Sequence, residues 1–73
     1  MPRLLSARKV LRALQRAGFR RVSQRGSHIK LKKQTGQGEL VVIVPNHREI
    51  AEGTLDSILA QAKLSREELD AFL

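Results

Sequence analysis

Val10, Leu11, Leu14 and Ala17 fall at i, i+1, i+4 and i+7 and form one apolar stripe. That spacing predicts an amphipathic helix, with Ser6 as its N-cap and Gly18 at the C′ position that ends it. The period then changes. Phe19–Arg25 and His28–Lys33 read as two strands joined by a Gly26-Ser27 turn. In the second strand the alternation is strict: Ile29 and Leu31 share one face, and His28, Lys30 and Lys32 share the other. After the turn cluster 34–38 comes Leu40-Val-Val-Ile-Val44, an unbroken and mostly β-branched run that reads as the most buried strand. Pro45-Asn46 stops it and opens a polar connector, residues 45–53, that holds His47. From Thr54 helical spacing returns, with Leu55, Ile58, Leu59 and Ala62 at i, i+3, i+4 and i+7. Ser65-Arg-Glu-Glu68 fits a capping box, with Leu64 and Leu69 as its hydrophobic staple, and starts a short last helix.

The expected order is therefore helix, three antiparallel strands, then a helix with a short addition. Such an α+β sheet takes its helices on one face and leaves the other wet. Residues 1–73 make one small domain. A hydrophobic content of 41% suits a folded chain rather than a disordered one. With Phe19 and Phe72 the only aromatics, Leu, Val and Ile must carry the packing. A core this thin favours one surface site over a deep pocket. The absence of cysteine excludes disulfides and thiol chemistry. No apolar run approaches the ~20 residues of a membrane span, and the first residues lack a signal-peptide core, so a cytoplasmic protein is expected.

Charge changes this picture most. From Met1 to Thr35 there are eleven Lys or Arg and no acid; from Gly36 to Leu73 there are three against seven acids. The net charge of +7 points to a polyanionic partner, nucleic acid first. No broad apolar face on a basic helix supports a membrane surface instead. On the wet face His28, Lys30 and Lys32 stand in a row, and Arg25 and Arg21 come from the neighbouring strand, which one of the two possible registers brings beside them. A histidine titrates near neutrality, and chemistry on a phosphate backbone uses such a group among cations. An exposed strand decorated with lysine against aggregation has the same pattern, so both readings stay open at this point.

His47 could supply a second acid–base group for RNA cleavage, or serve as a turn histidine bonded to backbone; the latter is favoured. Other chemistries fare worse. His28 and His47, with Glu49 and Glu52, match no metal-ligand spacing. Gly36-Gln-Gly38 lacks the following helix that a phosphate loop needs. Ser27 adjoins His28, and strand neighbours point to opposite faces, so it cannot be a nucleophile activated by that histidine.

Taken together, Ala17-Gly18-Phe19 after a basic helix, Arg25-Gly26-Ser27-His28, Val44-Pro45-Asn46-His47 and Gly53-Thr54-Leu55-Asp56-Ser57-Ile58-Leu59 resemble the HicA (YcfA-like) mRNA interferase toxins. The likeness runs over about residues 4 to 71. It implies a fold like the double-stranded-RNA-binding domain, and metal-independent, cofactor-free endoribonuclease activity on mRNA. It also implies a HicB-type antitoxin that covers the active site. His28 takes the position of the family's catalytic histidine, and no catalytic role carries over to His47. Arg25, Lys30 and Lys32, with Lys33 and Arg21, are the cations expected to hold the RNA backbone. The alternative is a non-catalytic RNA-binding module of the same helix–sheet–helix order.

Overall fold

The computed structural model describes residues 4–73; Arg3, one of the cations of the basic half, lies outside them. The elements are α1 (Ala7–Arg16), β1 (Arg20–Arg25), β2 (His28–Thr35), β3 (Gly38–Pro45), α2 (Glu52–Ala62) and α3 (Arg66–Phe72). The fold is α+β, with a three-stranded antiparallel sheet in the order β1-β2-β3.

α1 begins where the sequence places its cap: the Ser6 hydroxyl accepts the Lys9 N–H at 3.2 Å. It ends in a Schellman motif. Gly18 N–H donates to the Gln15 carbonyl at 3.1 Å and Phe19 N–H to the Leu14 carbonyl at 2.9 Å. Gly18 stands at φ 105, a conformation that favours glycine, and a Cβ there would lie 3.2 Å from Lys33 Cε. This turn swings Phe19 into the core just ahead of β1.

Two tight connections set the sheet. Gly26-Ser27 joins β1 to β2, with Gly26 at φ 58. The cluster 34–38 shortens to a Gly36-Gln37 turn, where the Thr35 hydroxyl donates to the Gly38 carbonyl (2.7 Å) and accepts the Gln37 N–H (3.1 Å). With both connections so short, β2 becomes the central strand and β3 an edge. This corrects the reading of residues 40–44 as the most buried strand. Val42 and Val44 are buried, while Ile43 is half-buried and Val41 is 39% exposed. A β-branched run suits the pleat wherever it lies in the sheet. At one point the β3 edge is covered, where Ile43 N–H donates to Gln61 Oε1 of α2 at 2.9 Å.

The core fills the helix-covered side of the sheet. Ile29, Leu31, Val42 and Val44 meet Val10, Leu14, Phe19, Ile50, Leu55, Ile58, Leu59 and Leu69. Among the described residues no polar or charged side chain is buried. α2 begins at Glu52 rather than Thr54; its N-cap, Ala51, offers no side-chain acceptor, so nothing in the sequence announces that start. α3 begins with the full capping box of Ser65 and Glu68. The connector is tied down by backbone: Asn46 N–H donates to the Ser27 carbonyl (2.6 Å), Ala7 N–H to that of His47 (3.0 Å), and Ile50 N–H to that of Leu5 (2.7 Å). It thus joins the hairpin tip to the start of α1. No described helix is long and apolar enough to cross a membrane.

Candidate functional site

The uncovered face of the sheet carries the polar alternate positions of β2, and strand pairing decides what stands beside them. His28 lies opposite Arg25 on one side and Pro45 on the other; Lys30 lies between Ser23 and Ile43; Lys32 lies between Arg20 and Val41. Directly paired residues share a face. The open face is therefore three columns: Arg20, Ser23 and Arg25 on β1; Lys32, Lys30 and His28 on β2; Val41, Ile43 and Pro45 on β3.

An irregularity between Arg21 and Ser23 produces the first column. The β-bulge at Val22 shifts the phase of β1, so Arg20 and Arg25 reach the open face together. Arg21 pairs instead with Leu31, whose side chain is buried on the helix side, and its guanidinium donates to Gln24 Oε1. Lys33 is also absent from the open face. It has the parity of Ile29 and Leu31, packs its stem on Gly18 and holds its ammonium 5.6 Å from the Phe19 ring centre. Of the expected cations, the structure brings Arg25, Lys30 and Lys32 together with His28, adds Arg20, and leaves Arg21 and Lys33 elsewhere.

His28 opens β2 immediately after the turn and lies exposed at the hairpin end of this face. A shallow cavity of about 500 Å³ holds it, lined by Ser23, Gln24, Arg25, His28, Lys30 and Ile43. Among the described residues no hydrogen bond engages its imidazole, and neither Arg25 nor Lys30 has an ion-pair partner. Lys32 does: its ammonium lies 3.5 Å from Glu39 Oε1. Uncompensated positive charge therefore concentrates beside His28. His47 does not line the cavity; its backbone accepts from α1 and its N–H donates to the Pro45 carbonyl at 2.8 Å. Among the described residues no group of His, Asp and Glu comes together that could hold a metal ion.

The sequence that carries this face matches a known family over most of its length. The family model for the HicA toxin of bacterial toxin–antitoxin systems matches residues 7–64. The chain belongs to the HicA toxin family. Membership makes it a toxin whose partner is an antitoxin. The HicA match takes in α1, the whole sheet, the connector and α2, and stops before α3. No individually curated protein matches the chain.

Two members of this candidate site are not evident from the sequence. Arg20 depends on the bulge, which leaves no local signature. Ile43 was hidden in a run that reads as wholly buried, although its parity, opposite to Val42 and Val44, carries the signal.

Proposed function

We propose that this HicA toxin is an endoribonuclease that cleaves mRNA with His28 as its acid–base group. The observation that carries the reading is the exposed, unengaged imidazole of His28 in a cavity it shares with Arg25 and Lys30. His28 accepts the proton of a ribose 2′-hydroxyl as that oxygen bonds to the adjacent phosphorus. The bond from phosphorus to the 5′-oxygen breaks, and solvent entering the open cavity protonates the leaving oxygen. The products are a 2′,3′-cyclic phosphate and a 5′-hydroxyl. Arg25 and Lys30 neutralise the charge that grows on phosphorus, while Lys32 and Arg20 hold the backbone further along the face. One positioned acid–base group contributes roughly 10²–10⁴-fold, so turnover is expected to be modest. The antitoxin partner is of the HicB type and acts by covering this face. The toxin works in the cytoplasm, where mRNA is found.

The test compares wild type with His28→Ala on single-stranded mRNA, with EDTA present throughout and product ends identified. The expected result is cleavage to cyclic-phosphate ends by wild type, none by the variant, and RNA binding within a few-fold for both. Normal cleavage by His28→Ala overturns the mechanism. Salt-dependent binding by wild type with no product at all identifies a non-catalytic RNA-binding module instead.

A further inference from the structure

The open face is asymmetric across its width. Two of its three columns are polar or cationic, and the third, on β3, is apolar: Val41, Ile43 and Pro45. These side chains do not serve the core, which lies on the opposite side of the sheet. Val41 is 39% exposed and Ile43 half-buried, so the column presents apolar surface beside the cations. Ile43 also lines the cavity that holds His28. A molecule that presents its reacting atoms to His28 therefore has Ile43 within the same cavity.

We infer that Val41 and Ile43 form a contact track for the bases of single-stranded RNA beside the scissile phosphate. This rests on the ribonuclease reading above and names how the same site grips its substrate. Adjacent strands lie ~4.8 Å apart, so a backbone held by the cations of β2 and β1 leaves its bases over β3. The face thus offers charge where RNA is anionic and apolar surface where RNA is flat and poorly hydrated. A duplex, whose bases are stacked inward, cannot use the apolar column. The track is aliphatic and has no hydrogen-bonding side chain, so it accepts any base and supplies affinity rather than sequence choice. Ile43 and Val41 are positioning residues.

The experiment uses Ile43→Thr and Val41→Thr, which keep the β-branched shape while replacing a methyl with a hydroxyl or shortening the chain. Thermal melts check that each variant folds as wild type does. The probes are a short single-stranded RNA of mixed sequence, the same strand with an abasic site at each position in turn, and an all-2′-deoxy counterpart that cannot be cleaved by 2′-hydroxyl attack. The expected result is a KM raised about fivefold by each variant, the loss that follows when a contact gives up one or two buried methyl groups. The salt dependence of binding stays that of wild type, whereas Lys30→Ala lowers its slope by nearly one. Wild type discriminates against one or two abasic positions next to the cut, and Ile43→Thr does not. If both variants match wild type in KM, or wild type ignores every abasic site, the inference fails. It also fails if the variants cleave normally but escape neutralisation by the antitoxin, because the track is then a protein-docking surface. A wild type that binds the all-deoxy strand yet cleaves nothing refutes the ribonuclease reading alone. The base track is then judged on binding, with the same fivefold loss required.

Discussion

On the helix-covered side of the sheet three charged groups are engaged by the protein itself. Lys33 lies over the Phe19 ring and against Gly18, Glu68 is held in the capping box of α3, and Arg16 donates to the Phe72 carbonyl at 3.0 Å. On the open side His28, Arg25 and Lys30 have no ion-pair partner among the described residues, and the cavity between them faces solvent. Both sides are built from the same eight residues of β2, read at alternate positions. The difference separates two requirements that a chain this small has to meet in one strand. Charges that support the fold are satisfied by the protein. Charges kept for a polyanion are left for the partner to satisfy, and they cost little because water solvates them meanwhile.

The largest test of this division compares neighbours in β2. Leu31 is wholly buried, and Leu31→Ala is expected to lower stability by about 2–5 kcal/mol, read from urea unfolding. Lys30→Ala, one residue away, is expected to change it by less than ~0.5 kcal/mol. A loss of stability at Lys30 comparable to that at Leu31 would show that the open face is structural after all.

Next comes Gly18→Ala, which attacks the engaged side through the backbone. The added Cβ meets both a left-handed φ of 105 and the Lys33 stem at 3.2 Å. A destabilisation of about 1–2 kcal/mol is expected in thermal or urea unfolding, with the hairpin that carries His28 unaffected. If RNA binding falls along with stability, Lys33 belongs to the functional cations and the comparison needs redrawing.

Much of this arrangement was legible before any coordinates. Ser6, Gly18 and the Ser65–Glu68 box each mark a helix end through a hydrogen bond that a local sequence signal specifies. The alternation of β2 gave the two faces, because a residue's parity in a strand decides its side. The same parity carries Lys33 inward with Ile29 and Leu31. What stayed hidden depends on contacts between strands. The bulge at Val22 answers to the pairing of β1 with β2, so Arg20 and Arg21 could not be told apart. The edge position of β3 follows from which strands pair, and the residues of that strand are the same in either place. On the open face, charge and alternation place His28, Lys30 and Lys32 in one row, Arg25 waits on the strand register, and Ile43 was lost to the assumption that an apolar run has no outer face.

The third test is one of pH. Glu68 has its carboxyl held below the ordinary range, first by the Ser65 backbone N–H, then by the Ser65 hydroxyl, with Lys33 adding a smaller attraction. A carboxylate whose folded value is depressed contributes stability above its unfolded value and loses it as pH falls through the folded one. Stability should therefore decline on acidification through and below the ordinary carboxylate range. In Glu68→Gln, which keeps an acceptor at the cap without the charge, that part of the decline should be missing. Ser65→Ala should cost about 1 kcal/mol at neutral pH and weaken the acid-side dependence without abolishing it, because the backbone N–H that donates to Glu68 remains. Urea midpoints measured across pH for the three proteins decide it. A Glu68→Gln curve parallel to that of wild type would mean that this charge is not engaged.

The smallest expected effect falls where the division is imperfect. Among the described residues Lys32 is the one cation of the open face with an acid beside it, Glu39 at 3.5 Å, and that carboxylate also accepts from Gln34 Nε2 at 3.3 Å. Both partners of the ion pair are about one-third exposed, so the pair is worth less than ~1 kcal/mol and its loss should scarcely move the unfolding midpoint. Its electrostatic role is different. Glu39 partly cancels Lys32 at the end of the face away from His28, where Arg20 is then the cation without an ion-pair partner among the described residues. Glu39→Gln removes that cancellation and keeps a side chain that can still accept from Gln34. Binding of a short single-stranded RNA should tighten by roughly two- to threefold at low salt, with a slightly steeper salt dependence. The gain should vanish at high salt, where counterions screen Lys32 regardless. Unchanged affinity at low salt would place the RNA's path across the hairpin end alone, and Lys32 would then leave the set of backbone contacts.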